Sequence, residues 1–188
     1  MWSLAKQELL DEDHYVKWQG NFFHLQDIMD DILGLYNHKA FVYQDREQVL
    51  VLEDKQEVTA VAEIVASSLA YEVVKYNHHT LKGDIEAKKK ILLSLGSELE
   101  PKRKVLENIN KQLSENIFYL LNNLNIRHNN RSKKSKNYKE YVAKMSKNRL
   151  ETFYDELYQM MLLAFLAIDD IENRRKKINE LKRDIDGK

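Results

Sequence analysis

Cysteine is absent from the 188-residue sequence, and proline and glycine are rare, with one and five residues. The absence of cysteine excludes a disulfide framework, thiolate zinc sites, iron–sulfur clusters and cysteine nucleophiles. So few turn-forming residues argue against a sandwich or barrel with many tight turns, and long helices are the default expectation. A chain of this length buries about 70% of its unfolded surface, so it needs no metal to complete a core.

Long apolar runs and export signals are also missing. The longest apolar stretch, residues 160–168, is far short of the roughly 20 residues that span a bilayer. Residues 1–10 show no basic start followed by an apolar stretch, so no secretory signal is visible. We therefore expect a soluble, cytoplasmic protein with no membrane partner.

The formal net charge is zero, but the charges are distributed unevenly. Residues 1–57 carry twelve acids and five bases, whereas residues 127–149, here called the basic segment, carry nine bases against Glu140 alone. Local potential attracts an anionic partner, so a neutral total does not exclude one. The alternative is internal: the acidic first third pairs with the basic segment of its own or a second chain.

Apolar periodicity predicts an all-α fold, a bundle of about four to five long helices with an extended C-terminal helix. One helix is expected over most of residues 2–37, and a small β-hairpin near residues 40–52. The other helices are predicted over residues 54–73, 85–96 and 97–124 and from Ser146 onward. Ser97, Glu100 and Pro101 are typical of a helix start and open the helix over 97–124. We expect one helical domain over 1–188, with an acidic N-terminal part (1–96) and a second part (97–188).

Residues 122–131 form a polar cluster with five asparagines, two arginines and one histidine. One interpretation is that these residues end a helix, because asparagine competes with helical hydrogen bonds. The other is a catalytic site in which His128 exchanges a proton, Arg127 holds a phosphate, and Asn129 and Asn130 orient the reacting groups. Such a set has the parts needed to cleave RNA without metal.

Basic residues continue directly after this cluster. They can neutralise the phosphates of an RNA strand and release its counterions, which makes binding depend on salt. The alternative is a solvated loop. The residues predicted to bind nucleic acid are Arg131, Lys133, Lys134, Lys136 and Lys139.

Two long helices joined by a polar, basic segment with Arg, Asn and His resemble the HEPN superfamily, small all-helical domains of toxin–antitoxin, abortive-infection and CRISPR-linked ribonucleases. The resemblance covers roughly residues 97–185 and extends to Tyr154-Asp155-Glu156-Leu157-Tyr158, which runs into an apolar helix. In the family an Arg precedes a His by four to six intervening residues, whereas Arg127 and His128 are adjacent. The resemblance implies a metal-independent endoribonuclease that acts on RNA in prokaryotic defence or stress, as a homodimer with its site at the interface.

Metal and cofactor motifs are missing. There is no Glu-x-x-His pair of the di-iron type and no glycine-rich phosphate loop. His78 and His79 are adjacent and would point about 100° apart on a helix, so both cannot face one ion. We expect no metal and no cofactor.

A second function of a different class is also open. The acidic first third and the long C-terminal helix favour a non-catalytic helical interaction protein, such as a complex subunit, an antitoxin-like partner or an inhibitor. RNA binding without cleavage is a third interpretation.

Overall fold

Two compact units make up the computed structural model, residues 1–56 and residues 57–188. The structure describes residues 15–18, 21–36, 38–43 and 48–186. The predicted boundary between residues 1–96 and 97–188 falls inside the helix Ile85–Leu99, which crosses it without interruption. The expectation of one domain over 1–188 stays a prediction.

The first unit contains a hairpin followed by a helix. Strands β1 (Tyr15–Trp18) and β2 (Asn21–His24) pair antiparallel, and helix α1 (Leu25–Leu35) follows directly. The prediction of a helix over most of residues 2–37 is therefore wrong for residues 15–18 and 21–24, and residues 1–14 lie outside the described residues. Aromatic and β-branched residues favour strands, and these short segments are rich in them: Tyr15, Val16, Trp18, Phe22 and Phe23.

The second hairpin of this unit confirms the hairpin predicted near residues 40–52. Strands β3 (His38–Tyr43) and β4 (Gln48–Glu53) pair antiparallel with Tyr43 opposite Gln48. Strand β3 contains Phe41, Val42 and Tyr43, and β4 contains Val49 and Val51, residue types that suit a pleated surface.

The second unit is helical. Its helices are α2 (Gln56–Ile64), α3 (Ser67–Lys75), α4 (Ile85–Leu99), α5 (Arg103–Ile109), α6 (Lys111–Asn123), α7 (Glu140–Ala143), α8 (Lys147–Asp169) and α9 (Arg175–Asp186). Short 3₁₀ turns occupy His79–Leu81 and Glu100–Lys102, and a π-helical turn, Asp170–Arg174, joins α8 to α9.

Helix α8 lies at the centre of this unit, as its apolar residues 160–168 predict. It contacts α4, α5 and α6. Leu163 is exposed, so the helix is not covered on every side. The side chains that α8 buries completely or nearly so include Leu150, Tyr154, Leu157, Tyr158, Met161, Leu162, Ala164, Phe165 and Ile168.

Two predicted helices are each divided in two. The first is interrupted at Val65 and Ala66, between α2 and α3. The second is interrupted at Asn110, whose backbone is extended (φ −151°) and whose side chain accepts a hydrogen bond from the Leu113 N–H at 3.0 Å. Asparagine is a preferred N-cap, so this residue starts α6 rather than continuing α5.

The helix boundary predicted at Gly96 and Ser97 is wrong, because α4 continues to Leu99. Ser97 lies inside the helix, and its hydroxyl donates to the Leu93 carbonyl at 2.9 Å instead of capping a new helix. A Cβ at Gly96 would lie 2.9 Å from the Leu121 side chain. This glycine therefore permits close packing of α4 on α6 and does not end a helix.

The structure confirms the helix start predicted at Ser146 and the predicted extended C-terminal helix. The Ser146 hydroxyl accepts a hydrogen bond from the Arg149 N–H at 3.3 Å and caps α8. Beyond the π-helical turn, every residue of α9 is exposed, including Ile178, Leu181 and Ile185.

Candidate nucleic-acid interface

The basic segment begins where α6 ends. Asn125 adopts a left-handed backbone conformation (φ 61°), which asparagine tolerates better than most residues. The Arg127 N–H donates to the Leu121 carbonyl at 3.0 Å, and the Tyr154 hydroxyl donates to the Leu124 carbonyl at 3.0 Å. The chain therefore leaves α6 through a turn that is fixed by hydrogen bonds from both sides.

Arg127 anchors the segment to the end of α4. Its guanidinium forms an ion pair with Glu100 and donates to the Gly96 carbonyl at 3.1 Å. The guanidinium carbon also lies 5.4 Å from the centroid of the Phe118 ring, a cation–π contact. Three contacts thus hold Arg127 to the bundle, and its predicted role at a phosphate stays a prediction.

Asn130 is buried and ties the segment together. Its side-chain oxygen accepts from the Asn125 N–H at 2.7 Å, and the Asn130 N–H donates to the Asn125 side-chain oxygen at 3.2 Å. Its amide nitrogen donates to the Asn137 carbonyl at 2.8 Å, and its carbonyl accepts from the Lys139 N–H at 2.8 Å. These bonds close residues 125–139 into one ordered loop.

His128 and Asn129 lie on the surface of this loop. The Asn129 side-chain oxygen accepts from the backbone N–H groups of Arg131 (3.3 Å) and Ser132 (3.0 Å), which forms a local turn. His128 is exposed, and no hydrogen bond, ion pair or ring contact joins it to another residue in the described part of the chain. The structure therefore uses Asn129 in the turn and leaves the imidazole facing solvent.

Arg131 connects the loop to α7. Its guanidinium donates to the carbonyls of Ala143 and Met145, each at 3.4 Å, just where α7 ends. Cations are favourable at helix C-termini, where carbonyls lack helical partners. The predicted phosphate ligand therefore contacts the protein backbone here.

The remaining predicted residues, Lys133, Lys134, Lys136 and Lys139, are all exposed. Among the described residues, none of them forms an ion pair with a carboxylate. Glu140, the single acid of the segment, pairs with Lys144 at 2.6 Å. The loop thus presents four uncompensated positive charges on a backbone that its asparagines and arginines hold in place.

An ion-pair network around the buried Lys88, elsewhere in the helical unit, was missed by sequence reasoning. Lys88 is almost fully buried, and its ammonium donates to Glu151 at 2.8 Å and Asp155 at 2.7 Å. Asp155 also accepts from the Tyr76 hydroxyl at 3.0 Å. The Tyr76 ring stacks on Tyr158 with their centroids 4.0 Å apart.

An open cavity of about 420 Å³ lies between α8 and residues 76–88, and Tyr76, Lys88, Glu151 and Asp155 line one side of it. A hydrogen bond from the Gly83 N–H, together with the Lys88 ammonium, holds the pKa of Glu151 below its usual range. Burial and the Asp155 carboxylate raise the pKa of Tyr76 well above its usual range. The ammonium is fully engaged by its two carboxylates, an arrangement typical of a structural network that joins α4 to α8.

The sequence contained a weak signal for this network. Glu151 and Asp155 are four residues apart and so share one face of α8. Their cationic partner lies more than 60 residues earlier in the chain, and only tertiary packing brings it to them. Lys88 belongs to a run of three lysines near the start of α4, and nothing in the sequence distinguishes it from Lys90, which is exposed.

His78 and His79 lie at the rim of the same cavity. The His78 side chain accepts from the Thr80 N–H at 3.4 Å and caps the turn His79–Leu81. Burial, followed by the neighbouring His79 and Lys75, lowers the pKa of His78. Within the described ranges, no group of three or more His, Asp or Glu side chains is placed to hold a metal ion.

Comparisons with known proteins give no relative: no family model, no curated protein and no solved structure matches the chain. In the part of the chain that the structure describes, no helix has both the length and the apolar character needed to cross a bilayer.

Proposed function

We propose that the protein binds RNA through the basic segment without cleaving it. One observation carries the proposal: five lysines of the segment are exposed and, among the described residues, none of them pairs with a carboxylate. They are Lys133, Lys134, Lys136, Lys139 and Lys147. The HEPN relationship and the role in prokaryotic defence remain predictions, and the proposal does not depend on them.

The electrostatics of the segment support an anionic polymer as its ligand. Ion pairs already neutralise Arg127, through Glu100, and Lys144, through Glu140. The five lysines keep their full charge on one short stretch, so a phosphate backbone would release a counterion at each contact. A polyanion gains more from such a row of charges than a single small anion does.

The ordered backbone of the loop also supports binding. The hydrogen bonds of Asn130 and the guanidinium contacts of Arg131 fix the loop before any ligand arrives. Binding then restricts mainly the lysine side chains, and the cost of ordering a backbone segment is avoided.

The proposal leaves out cleavage, because Arg127 and Asn130, two of the predicted catalytic residues, are engaged in contacts that hold the fold together. General acid–base catalysis needs its groups within hydrogen-bond reach of the reacting atoms. Here Arg127 is bound to Glu100 and Gly96, Asn130 is bound inside the loop, and His128 has no partner among the described residues.

The test is binding of a fluorescent single-stranded RNA as salt is varied. With all five lysines on phosphates, raising salt about fourfold weakens binding roughly 100-fold. Reversing three charges (K133E, K134E and K136E) is expected to lower the slope of log affinity against log salt by about two. The matched control reverses Lys176, Lys177 and Lys182 of α9, which are also exposed, and leaves the slope unchanged.

Two results would contradict the proposal. The first is wild-type binding that is absent or does not change with salt. The second is an equal effect of the two charge-reversal sets. Incubation of the RNA with wild type and with His128→Ala, without metal, tests cleavage separately: the RNA is expected to stay intact with both, and cleavage that His128→Ala abolishes would restore the catalytic hypothesis.

A second candidate function, that of a non-catalytic interaction protein, is favoured by α9. Its exposed apolar residues Ile178, Leu181 and Ile185 follow the three- and four-residue spacing of one helix face. Such a face suits pairing with another helix, either from a partner or from a second copy of the chain. Sedimentation of wild type and of Leu181→Glu tests self-association: a dimer that this substitution disperses supports it, and a monomer in both excludes it.

A further inference from the structure

Tyr141 lies beside the lysine loop and is exposed despite its size. Tyr141 is 64% exposed, whereas Val142, the next residue in α7, is buried. No hydrogen bond joins the Tyr141 hydroxyl to another described residue. The only ring contact found for it within the described ranges is the guanidinium carbon of Arg149, 5.8 Å from the ring centroid.

An open cavity of about 560 Å³ adjoins this ring. The volume falls within the range of about 300–1,000 Å³ that small-molecule sites occupy. Its lining combines one aromatic ring, two cations and one carboxylate that is already paired with Lys144 at 2.6 Å. The lining residues are Glu140, Tyr141, Lys144, Met145, Ser146 and Arg149.

Buried neighbours and hydrogen bonds hold the backbone that carries the Tyr141 ring. Val142 and Met145 are buried on either side of the turn, and the Arg131 guanidinium holds the carbonyls of Ala143 and Met145. Arg149 belongs to the first turn of α8, which Ser146 caps. The aromatic ring therefore comes from α7 and the guanidinium from the first turn of α8, and hydrogen bonds of Arg131 and Ser146 hold the backbone between them.

We propose that Tyr141, together with Arg149, is a stacking site for an unpaired base of the RNA strand whose phosphates the lysines contact. Every base has a flat π-face that stacks on an aromatic ring, and an arginine adds a cation–π contribution. The inference rests on the proposed RNA binding and deepens it. It assigns single-stranded RNA as the ligand in preference to a duplex, whose bases are covered by their neighbours.

The experiment compares single-stranded and duplex RNA of equal length for wild type, Tyr141→Ala and Tyr141→Phe. Loss of one stacked base is expected to weaken single-strand binding roughly tenfold in Tyr141→Ala. The salt slope and the duplex affinity are unchanged, since no phosphate contact is lost. Tyr141→Phe keeps the ring and is expected to keep the affinity.

Tyr119 on α6 provides a matched control, because it is 66% exposed and lies outside the basic segment. Tyr119→Ala is expected to leave both affinities unchanged. Photocrosslinking of an RNA that contains 5-iodouridine supplies an independent readout, with the crosslink expected on Tyr141.

The outcomes separate this inference from the proposal it rests on. Wild-type protein that binds no RNA overturns both. RNA binding that Tyr141→Ala does not weaken, or weakens equally for strand and duplex, overturns the stacking site alone. A crosslink that maps only to other residues also overturns it and leaves the lysine contacts standing.

Discussion

Asn125 and Asn130 each bind the other's backbone: each side-chain oxygen accepts a hydrogen bond from the other residue's N–H, at 2.7 and 3.2 Å. The pair is buried, so water does not replace a bond that is lost. This reciprocal contact closes the loop that carries the exposed lysines, and loop order therefore depends on two amide side chains.

Asn130→Ala is expected to lower the free energy of unfolding by about 2 kcal/mol, because it leaves the Asn125 N–H and the Asn137 carbonyl without partners. Hydrogen exchange in residues 125–139 is expected to accelerate. Urea denaturation and exchange mass spectrometry measure the two effects. Asn179→Ala removes an exposed amide of α9 for which no side-chain hydrogen bond is found among the described residues, and it serves as the control. Equal losses in both variants would contradict the role of Asn130.

Lys88→Met is expected to lower the free energy of unfolding by about 3 kcal/mol, because Glu151 and Asp155 lose the cation between them. Lys90→Met changes an exposed lysine of the same helix and should have little effect. Chemical denaturation of both variants checks this. A loss below about 1 kcal/mol in Lys88→Met would show that the network contributes little.

Acid is expected to destabilise the fold through Glu151. Its pKa in the folded protein is below the ordinary value of 4.5, so the ionised form is favoured by folding. That stabilisation is complete above the ordinary value and is lost as pH falls from there through the lowered pKa. Unfolding free energies of wild type and Glu151→Gln, measured across this range, should converge as the pH falls. Parallel curves would contradict the assignment.

Ser114→Ala is expected to stabilise the protein by about 1 kcal/mol. The Ser114 hydroxyl is fully buried and has no hydrogen-bond partner in the described part of the chain. Its removal eliminates an unpaired polar group and introduces a better helix former. Thermal denaturation measures the change, and Ser94→Ala, at an exposed position of α4, is the control. A lower melting temperature in Ser114→Ala would contradict the prediction.

The sequence predicts the elements whose signals are local. Ser146 begins α8 because its hydroxyl reaches an amide three residues later, and the β3–β4 hairpin follows from its β-prone residues. It misplaces the boundary at Gly96, because the packing against Leu121 that explains this glycine is a tertiary contact. It also misses the break at Asn110, since the apolar stripe continues on both sides of that residue.

At the candidate site, too, the sequence does not reveal which contacts the side chains make in the folded protein. The composition of residues 122–131 reveals a polar cluster, but composition does not distinguish an asparagine that orients a substrate from one that closes a loop. Asn130 closes a loop, as its hydrogen bonds with Asn125 show. Arg127 pairs with Glu100, which lies 27 residues earlier in the sequence. Exposure of the lysines, in contrast, follows from the lack of apolar residues around them.

The π-helical turn Asp170–Arg174 marks the point beyond which the C-terminal helix no longer packs on the helical unit. Helices commonly bend at π turns, and ion pairs of Arg174 with Asp169 and of Arg175 with Asp170 span this one. Helix α9 continues beyond the turn for about 18 Å with every residue exposed. The row Ile178, Leu181 and Ile185 is therefore open along its length, and a second helix can lie against it without displacing any other part of the helical unit.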